Sequence, residues 1–433
     1  MTTQTVNSLE PVSKLRFLAL ACAAITIFTS YYESDVIGPV ADLLERQRGF
    51  SQSDIGDLTA IISLPNVGLA LFSGLLIDRF GASRVVFWTA LISVLGSVLT
   101  AIGEPYDLMW LGRLIYGIGE GAIFIALIAG VASWFPRSGV ALATAIFLSL
   151  ARVGSFSLDT SPTWAKSLYD IGWQPPLWLG AAITMVGLVT ASVFLILERW
   201  RPNKPVAAAE SIHWRDIATF DRSFWYMLGL HVLYASVFFP FRQTYAIEYF
   251  QHVKHLSLQQ AGNVNSGVFA AAVFATPVFG LLADIYGRRA LLLTIGTLLL
   301  PITFLVLGLT DWSPWVSTVL MGVSFALVPA IIWPSTTLIV APNRLGTALG
   351  LITVLQAFGL WASNRTAGWL ADRAGATYLH PEGYTVLLWF FGLLSLTALT
   401  SVSLLLLRER SAQGHGLERS RKEGGPTGIG LGH

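Results

Sequence analysis

Of 433 residues, 54% are hydrophobic and only 12% are charged, against about 25% charged in a soluble domain. A mean hydropathy of +0.63 leaves too little polar surface to cover the chain in water. The formal net charge of +2 gives no footprint for nucleic acid, and the single cysteine, Cys22, excludes an intrachain disulfide.

Apolar runs of about 20 residues, enough to span hydrocarbon as helix, recur along the chain. They predict twelve membrane spans: 15–40, 55–77, 85–103, 108–134, 140–163, 176–198, 223–250, 258–282, 290–309, 313–341, 346–370 and 385–407. The expected fold is all-α, a six-helix bundle over 15–198 and a second over 223–407. Around them are expected an N-terminal tail (1–14), a polar linker (199–222) and a disordered Gly-rich tail (408–433). With both termini inside, 18 Lys and Arg fall on inner segments and 5 on outer ones, so the predicted orientation is N-in, C-in. The first apolar run has no cleavage signature, and the outer loops carry no N-x-[ST] acceptor. A bacterial inner membrane is therefore expected rather than a lysosomal one.

The chain repeats itself. GLLIDRFGASR follows the second span and GLLADIYGRR the eighth, marking two parallel halves. These stretches resemble the loop signature G-x-L-x-D-R-x-G-R-R of the major facilitator superfamily. The first copy keeps Gly74, Asp78, Arg79, Gly81 and Arg84; the second keeps Gly280, Asp284, Gly287, Arg288 and Arg289. The resemblance implies a twelve-helix secondary carrier in which these residues serve gating rather than substrate contact. The fragments SLPNVGLALFSGLLIDRFG, GRLIYGIGEG, LARVGS and WPSTTLIVAPNRLGTALG are further similar to the lysosomal dipeptide uniporter group. A second likeness, through G-R-x-x-x-G-x-x-E, is to anion:cation symporters.

Ions inside the bilayer mark pathways. Arg113 and Glu120 stand seven residues apart, on one face of the fourth helix. Glu120 lies about 16 Å from the outer end of its span and Arg152 about 18 Å from the inner end of the fifth, by helical rise. Both are near the midplane, and a short turn makes the two helices neighbours. They can neutralise each other, or meet the opposite charges of a zwitterion: an ammonium at Glu120, a carboxylate at the fork of Arg152. For an anion, Arg113 and Arg152 bind and Glu120 carries a proton. In the dipeptide group an acid of the fourth helix meets the amine and an arginine of the fifth the carboxylate. Arg152 matches, but the group's acid falls at Gly121 here, about 100° of rotation from Glu120.

Glu33, Tyr32, Asn66, Tyr116, Tyr234, Trp333 and Gln356 are further pocket candidates, each with a packing alternative. Arg242 and Arg365 fit outer-gate pairing or substrate contact, and His231 fits a structural role. There is no P-loop, nucleophile triad or metal-ligand spacing, so no catalytic residue, metal or cofactor is expected. The expected partners are a small-molecule substrate, membrane lipid and a proton or sodium co-ion, with the carrier a monomer. The first-choice cargo is a dipeptide or amino-acid-like zwitterion, by uniport or proton coupling. The alternative is a small organic anion, and a non-transporting receptor or assembly factor is a remote third.

Overall fold

The computed structural model describes residues 10–135, 137–199, 217, 219–341 and 344–419. Twelve helices of 19 to 29 residues account for most of them, one for each predicted span. Among the described residues ten segments are long and apolar enough to cross a membrane, eleven with α3 counted across its bend. By contacts the chain divides into two units, Met1–Leu43 with Ile61–Glu210, and Leu44–Ala60 with Ser211–His433.

The first unit holds α1 (Glu10–Ser34), the start of α2 (Ala41–Arg48), most of α3 (Gln52–Phe80), α4 (Ala82–Ile102), α5 (Tyr106–Trp134) and α6 (Arg137–Asp159). Two short helices, α7 (Ser161–Trp164) and α8 (Lys166–Ile171), precede α9 (Gln174–Arg199). The α-helix of the first span stops at Ser34, and a 3₁₀ turn, Gly38–Val40, precedes α2. Pro39 lacks the N–H that would continue the ladder, so the last carbonyls of α1 need other donors. Helix α5 packs chiefly on α4, α6 on α1, and α9 on both α1 and α4.

The second unit holds α10 (Arg222–Pro240), α11 (Ala246–His252), α12 (Leu258–Tyr286), α13 (Arg289–Leu309), α14 (Pro314–Ile339), α15 (Leu345–Arg373) and α16 (Thr385–Glu409). A π-helical turn, Phe241–Tyr245, joins α10 to α11 directly after Pro240, the kind of bulge a missing N–H produces. The pairs α13–α14, α10–α15, α13–α16 and α10–α16 repeat, helix for helix, the pairs α4–α5, α1–α6, α4–α9 and α1–α9. The duplication is thus one of packing as well as of motif.

The tail departs from expectation. Residues 410–419 are folded against the second unit: Leu417 is buried, and the Arg289 N–H donates to its carbonyl. Residues 420–433 and most of the linker lie outside the described residues.

Candidate functional site

The stretch GRLIYGIGEG gives α5 three faces. A Cβ at Gly112 or Gly119 would fall on α4, at Thr100 or at Ser93 and Thr89, so these glycines set the close approach of α4. Gly117 and Gly121 meet α3 at Ile62 and at the amide oxygen of Asn66. The third face, Arg113, Tyr116 and Glu120, turns to α1.

Arg113 is fully buried. It donates to the carbonyls of Glu33 (3.0 Å) and Ser34 (2.7 Å), at the exposed-carbonyl end of α1. The Glu33 carboxylate lies 4.0 Å away, hydrogen-bonded to Ser97 and closed in by Gly180 of α9. The guanidinium is therefore held by helix-end carbonyls and a carboxylate, the two partners that most offset its desolvation. Tyr116, also buried, donates to the Ser30 carbonyl at 2.5 Å. Tyr32 is buried and bonded to Ser161, which pairs with Tyr169. Arg113, Tyr116 and Tyr32 thus have internal partners, while Glu33 Oε2 is buried with no hydrogen-bond partner among the described residues.

Glu120 and Arg152 are half-buried. The Glu120 carboxylate accepts from the Ser34 hydroxyl and lies in the fields of Arg113 and Asp35. The Tyr31 hydroxyl lies in the fields of Arg152, Glu120 and Asp35 together. Because α5 packs mostly on α4, it is α1, not the short α5–α6 turn, that brings the two charges to one region. The Asn66 Oδ1 is buried with no hydrogen-bond partner among the described residues. It occupies the direction in which a side chain at Gly121 would grow. Tyr31 and Ser34 were not singled out as site residues; their i, i+3 spacing near the end of α1, sharing a face with Asp35, is the signal that finds them.

In the second unit Tyr234 is buried, its hydroxyl 3.0 Å from Ser324 Oγ, which donates to the Gly296 carbonyl. Arg242 is buried in the π turn, its guanidinium 4.4 Å from the Phe269 ring centroid. Arg365 pairs with Asp57 at 3.3 Å. His231 Nε2 lies 3.0 Å from Gln356 Oε1, with Trp333 edge-on to the imidazole.

The loop motifs sit at helix junctions. Gly74, Asp78, Arg79 and Arg84 are exposed, and Gly81 has φ +85 before α4. Gly280 and Asp284 lie in the last two turns of α12. Gly287 (φ +66) and Arg288 (φ +45) are left-handed, and Arg289 is buried.

A model of the Major Facilitator Superfamily matches residues 23–247 and 231–429. The human lysosomal dipeptide transporter MFSD1 is 28% identical over 425 residues, 94% of this chain and 89% of the relative. The probable sulfoacetate transporter SauU of Cupriavidus necator is 22% identical over 395 residues, 84% of this chain and 89% of the relative. A mutant of the nucleoside transporter NupG aligns with a TM-score of 0.73 at 14% identity, over 90% of this chain and 99% of that one. The expected bacterial inner membrane draws no support here, since the animal relatives near 28% identity are named as lysosomal. The chain belongs to the Major Facilitator Superfamily and is a multi-pass integral membrane transporter rather than an enzyme.

Proposed function

We propose that the carrier moves a small zwitterion, with a dipeptide as first choice, by alternating access. One observation carries the reading: Glu120 and Arg152, of opposite charge, stand half-buried in one unit on two helices that both pack on α1, near Tyr31. Arg152 supplies a planar fork for a carboxylate. Glu120 and the unpartnered Asn66 Oδ1 supply two acceptors for an ammonium, which has three donors. The absent acid at 121 is then compensated: an amide oxygen fills that direction and the carboxylate comes from the preceding residue. A relative named as a dipeptide transporter over 94% of this chain supports the same cargo.

The organic-anion reading is favoured by the relative named for sulfoacetate. Arg113 weighs against it, because its guanidinium is engaged by the end of α1. Uniport and proton coupling both fit the site.

The test is a thermal-shift titration of the purified carrier with dipeptides, amino acids, hexuronates and dicarboxylates. Dipeptides should stabilise the wild type and lose at least ~100-fold affinity in Glu120→Gln, the scale for removing one partner of a buried charge pair. Stabilisation by organic acids alone, retained in Glu120→Gln, would overturn the zwitterion reading.

A further inference from the structure

Residues 408–419 tie three membrane helices of the second unit together at one end. Arg408, in the last turn of α16, donates to Asp221 (2.6 Å) and to Ser223 (3.0 Å) at the start of α10. Beyond it the tail turns back. Leu417 is buried, and its carbonyl accepts from the Arg289 N–H at 2.8 Å. Glu418 accepts from the Leu291 N–H at 3.0 Å. The two acceptors cap α13, whose own N-cap residue, Arg288, makes no side-chain cap. This folding engages the acids and leaves bases outside. Asp221 is held by Arg408, Glu418 caps α13, and Glu409 accepts from the His415 and Leu417 N–H groups at 2.8 and 3.1 Å. Arg222, Arg288, Arg410 and Arg419 are exposed, and among the described residues none has a carboxylate partner. Arg222 opens α10, Arg288 precedes α13, Arg410 follows α16, and Arg419 lies on the docked tail. Trp225, in the first turn of α10, and Tyr286, the last residue of α12, are 42% and 61% exposed. Exposed aromatics at span ends mark the headgroup level of a membrane.

We infer that this end of the second unit is a headgroup site for an anionic phospholipid, completed by the docked tail. A guanidinium offers a phosphodiester two parallel N–H donors. The four unpaired arginines carry charge of one sign, so a lipid of net negative charge is preferred to a zwitterionic one. The lipid in turn holds the tail, because Arg410 and Arg419 are set at the headgroup level by the seating of Leu417. The site is independent of the cargo and of the charges in the first unit.

The full-length carrier in detergent micelles doped with dioleoylphosphatidylglycerol or dioleoylphosphatidylcholine tests it. Phosphatidylglycerol should raise the unfolding temperature and phosphatidylcholine should not, and high salt should weaken the effect. Arg288→Gln and Arg410→Gln should each lower the affinity for phosphatidylglycerol about 5-fold, the scale of one basic residue at an anionic surface. With Arg419→Gln added, the three together should lower it by ~100-fold. Lys166→Gln, in the first unit and paired with Asp170, should change nothing. Leu417→Asp, which unseats the tail, should lose as much as Arg410→Gln with Arg419→Gln. In the wild type, phosphatidylglycerol should slow proteolysis of residues 410–419 more than phosphatidylcholine does, a check that needs no substitution. Equal stabilisation by the two lipids would overturn the site, and so would a preference unchanged in the triple arginine variant. Full affinity for phosphatidylglycerol in folded Leu417→Asp, or equal proteolysis in the two lipids, would remove the tail from it. Equal stabilisation by soluble glycerol 3-phosphate would assign the arginines to a free phosphate ligand, and by polyglutamate to an acidic protein; either result overturns the lipid.

Discussion

The two bundles repeat the same helix pairs, and each fully buries an arginine and a glutamate, Arg113 and Glu33 in the first and Arg242 and Glu248 in the second, yet their other interior polar groups differ. The first adds two half-buried charges, Glu120 and Arg152, near Tyr31. Interior polar groups of the second include the neutral His231–Gln356 and Tyr234–Ser324 pairs. Among the described residues its carboxylate pairs include Arg365–Asp57 and Arg408–Asp221. A duplicated fold can keep one pattern of helix pairs while its interior polar residues diverge. Helix pairing needs only small and apolar residues at the crossings, so the polar residues can diverge without disturbing it.

The comparison breaks first at Arg152. Arg152→Ala should abolish measurable uptake in proteoliposomes and lower cargo affinity by ~100-fold or more. Arg152→Lys should not rescue it, because an ammonium lacks the fork. Transport retained in Arg152→Ala would mean that Arg152 does not bind the cargo.

Within the same bundle Arg113 should behave differently. Removing one partner of a buried pair leaves the other uncompensated, at a cost of about 3–5 kcal/mol. Arg113→Ala should therefore lower the unfolding temperature sharply, and Arg113→Leu with Glu33→Leu should recover part of the loss. A folded, stable Arg113→Ala that binds cargo poorly would instead place Arg113 in the site.

Next comes the start of α3, which by contacts belongs to the second unit. Asp372 of α15 accepts from the Gln52 and Ser53 N–H groups at 2.8 and 2.9 Å, capping α3 from another helix. Gly368 lies against the Gln52 carbonyl and Ser53 Cα, and Gly56 against the Tyr245 hydroxyl. Asp372→Ala should cost about 1 kcal/mol, as lost N-caps do. Gly368→Leu, with no room for its Cβ, should separate the two helices and speed thiol labelling of a Ser53→Cys reporter. Opening the Arg365–Asp57 pair, with Arg365 59% exposed, should change stability by less than ~1 kcal/mol. Equal labelling rates with and without Gly368→Leu would show that this contact holds nothing shut.

Much of this was legible in the sequence. Twelve spans and the duplication follow from apolar length and the repeated G-L-L-x-D-x-x-G. The seven-residue spacing put Arg113 and Glu120 on one face, where the structure has them. The partner of Arg113 was not legible, because backbone carbonyls at a helix end have no side-chain signature. Nor was the buried Nδ1 of His231, without a hydrogen-bond partner among the described residues, since burial and tautomer depend on α14 and α15, more than 90 residues away. The Gly-rich composition after Arg408 reads as disorder, yet Leu417 finds the core and Glu418 accepts from the Leu291 N–H. One apolar residue and one cap decide that segment, and composition averages them away.

That folded segment supplies the smallest effect. Asp221 caps α10 through the Ser223 N–H at 2.8 Å and holds Arg408 at 2.6 Å. Arg408 also donates to Gln413, and His415 binds Glu409, so the pair anchors residues 410–419. Partial burial pushes the Asp221 carboxyl up, but the hydrogen bonds from Ser223 and Arg408 outweigh it and hold it below the ordinary Asp value of 3.8. The sign follows: a depressed carboxylate contributes stability above its unfolded pKa and loses it as pH falls through the folded value. At 39% exposure the contribution is screened and should stay under ~1 kcal/mol. Limited proteolysis of the 410–419 segment should therefore be flat from neutrality down to about pH 4 by this linkage and rise only below it. Asp221→Asn should be cut faster at neutral pH and lose that acid step. An acid step that survives in Asp221→Asn would assign the tail's hold to Glu409 or Glu418 instead.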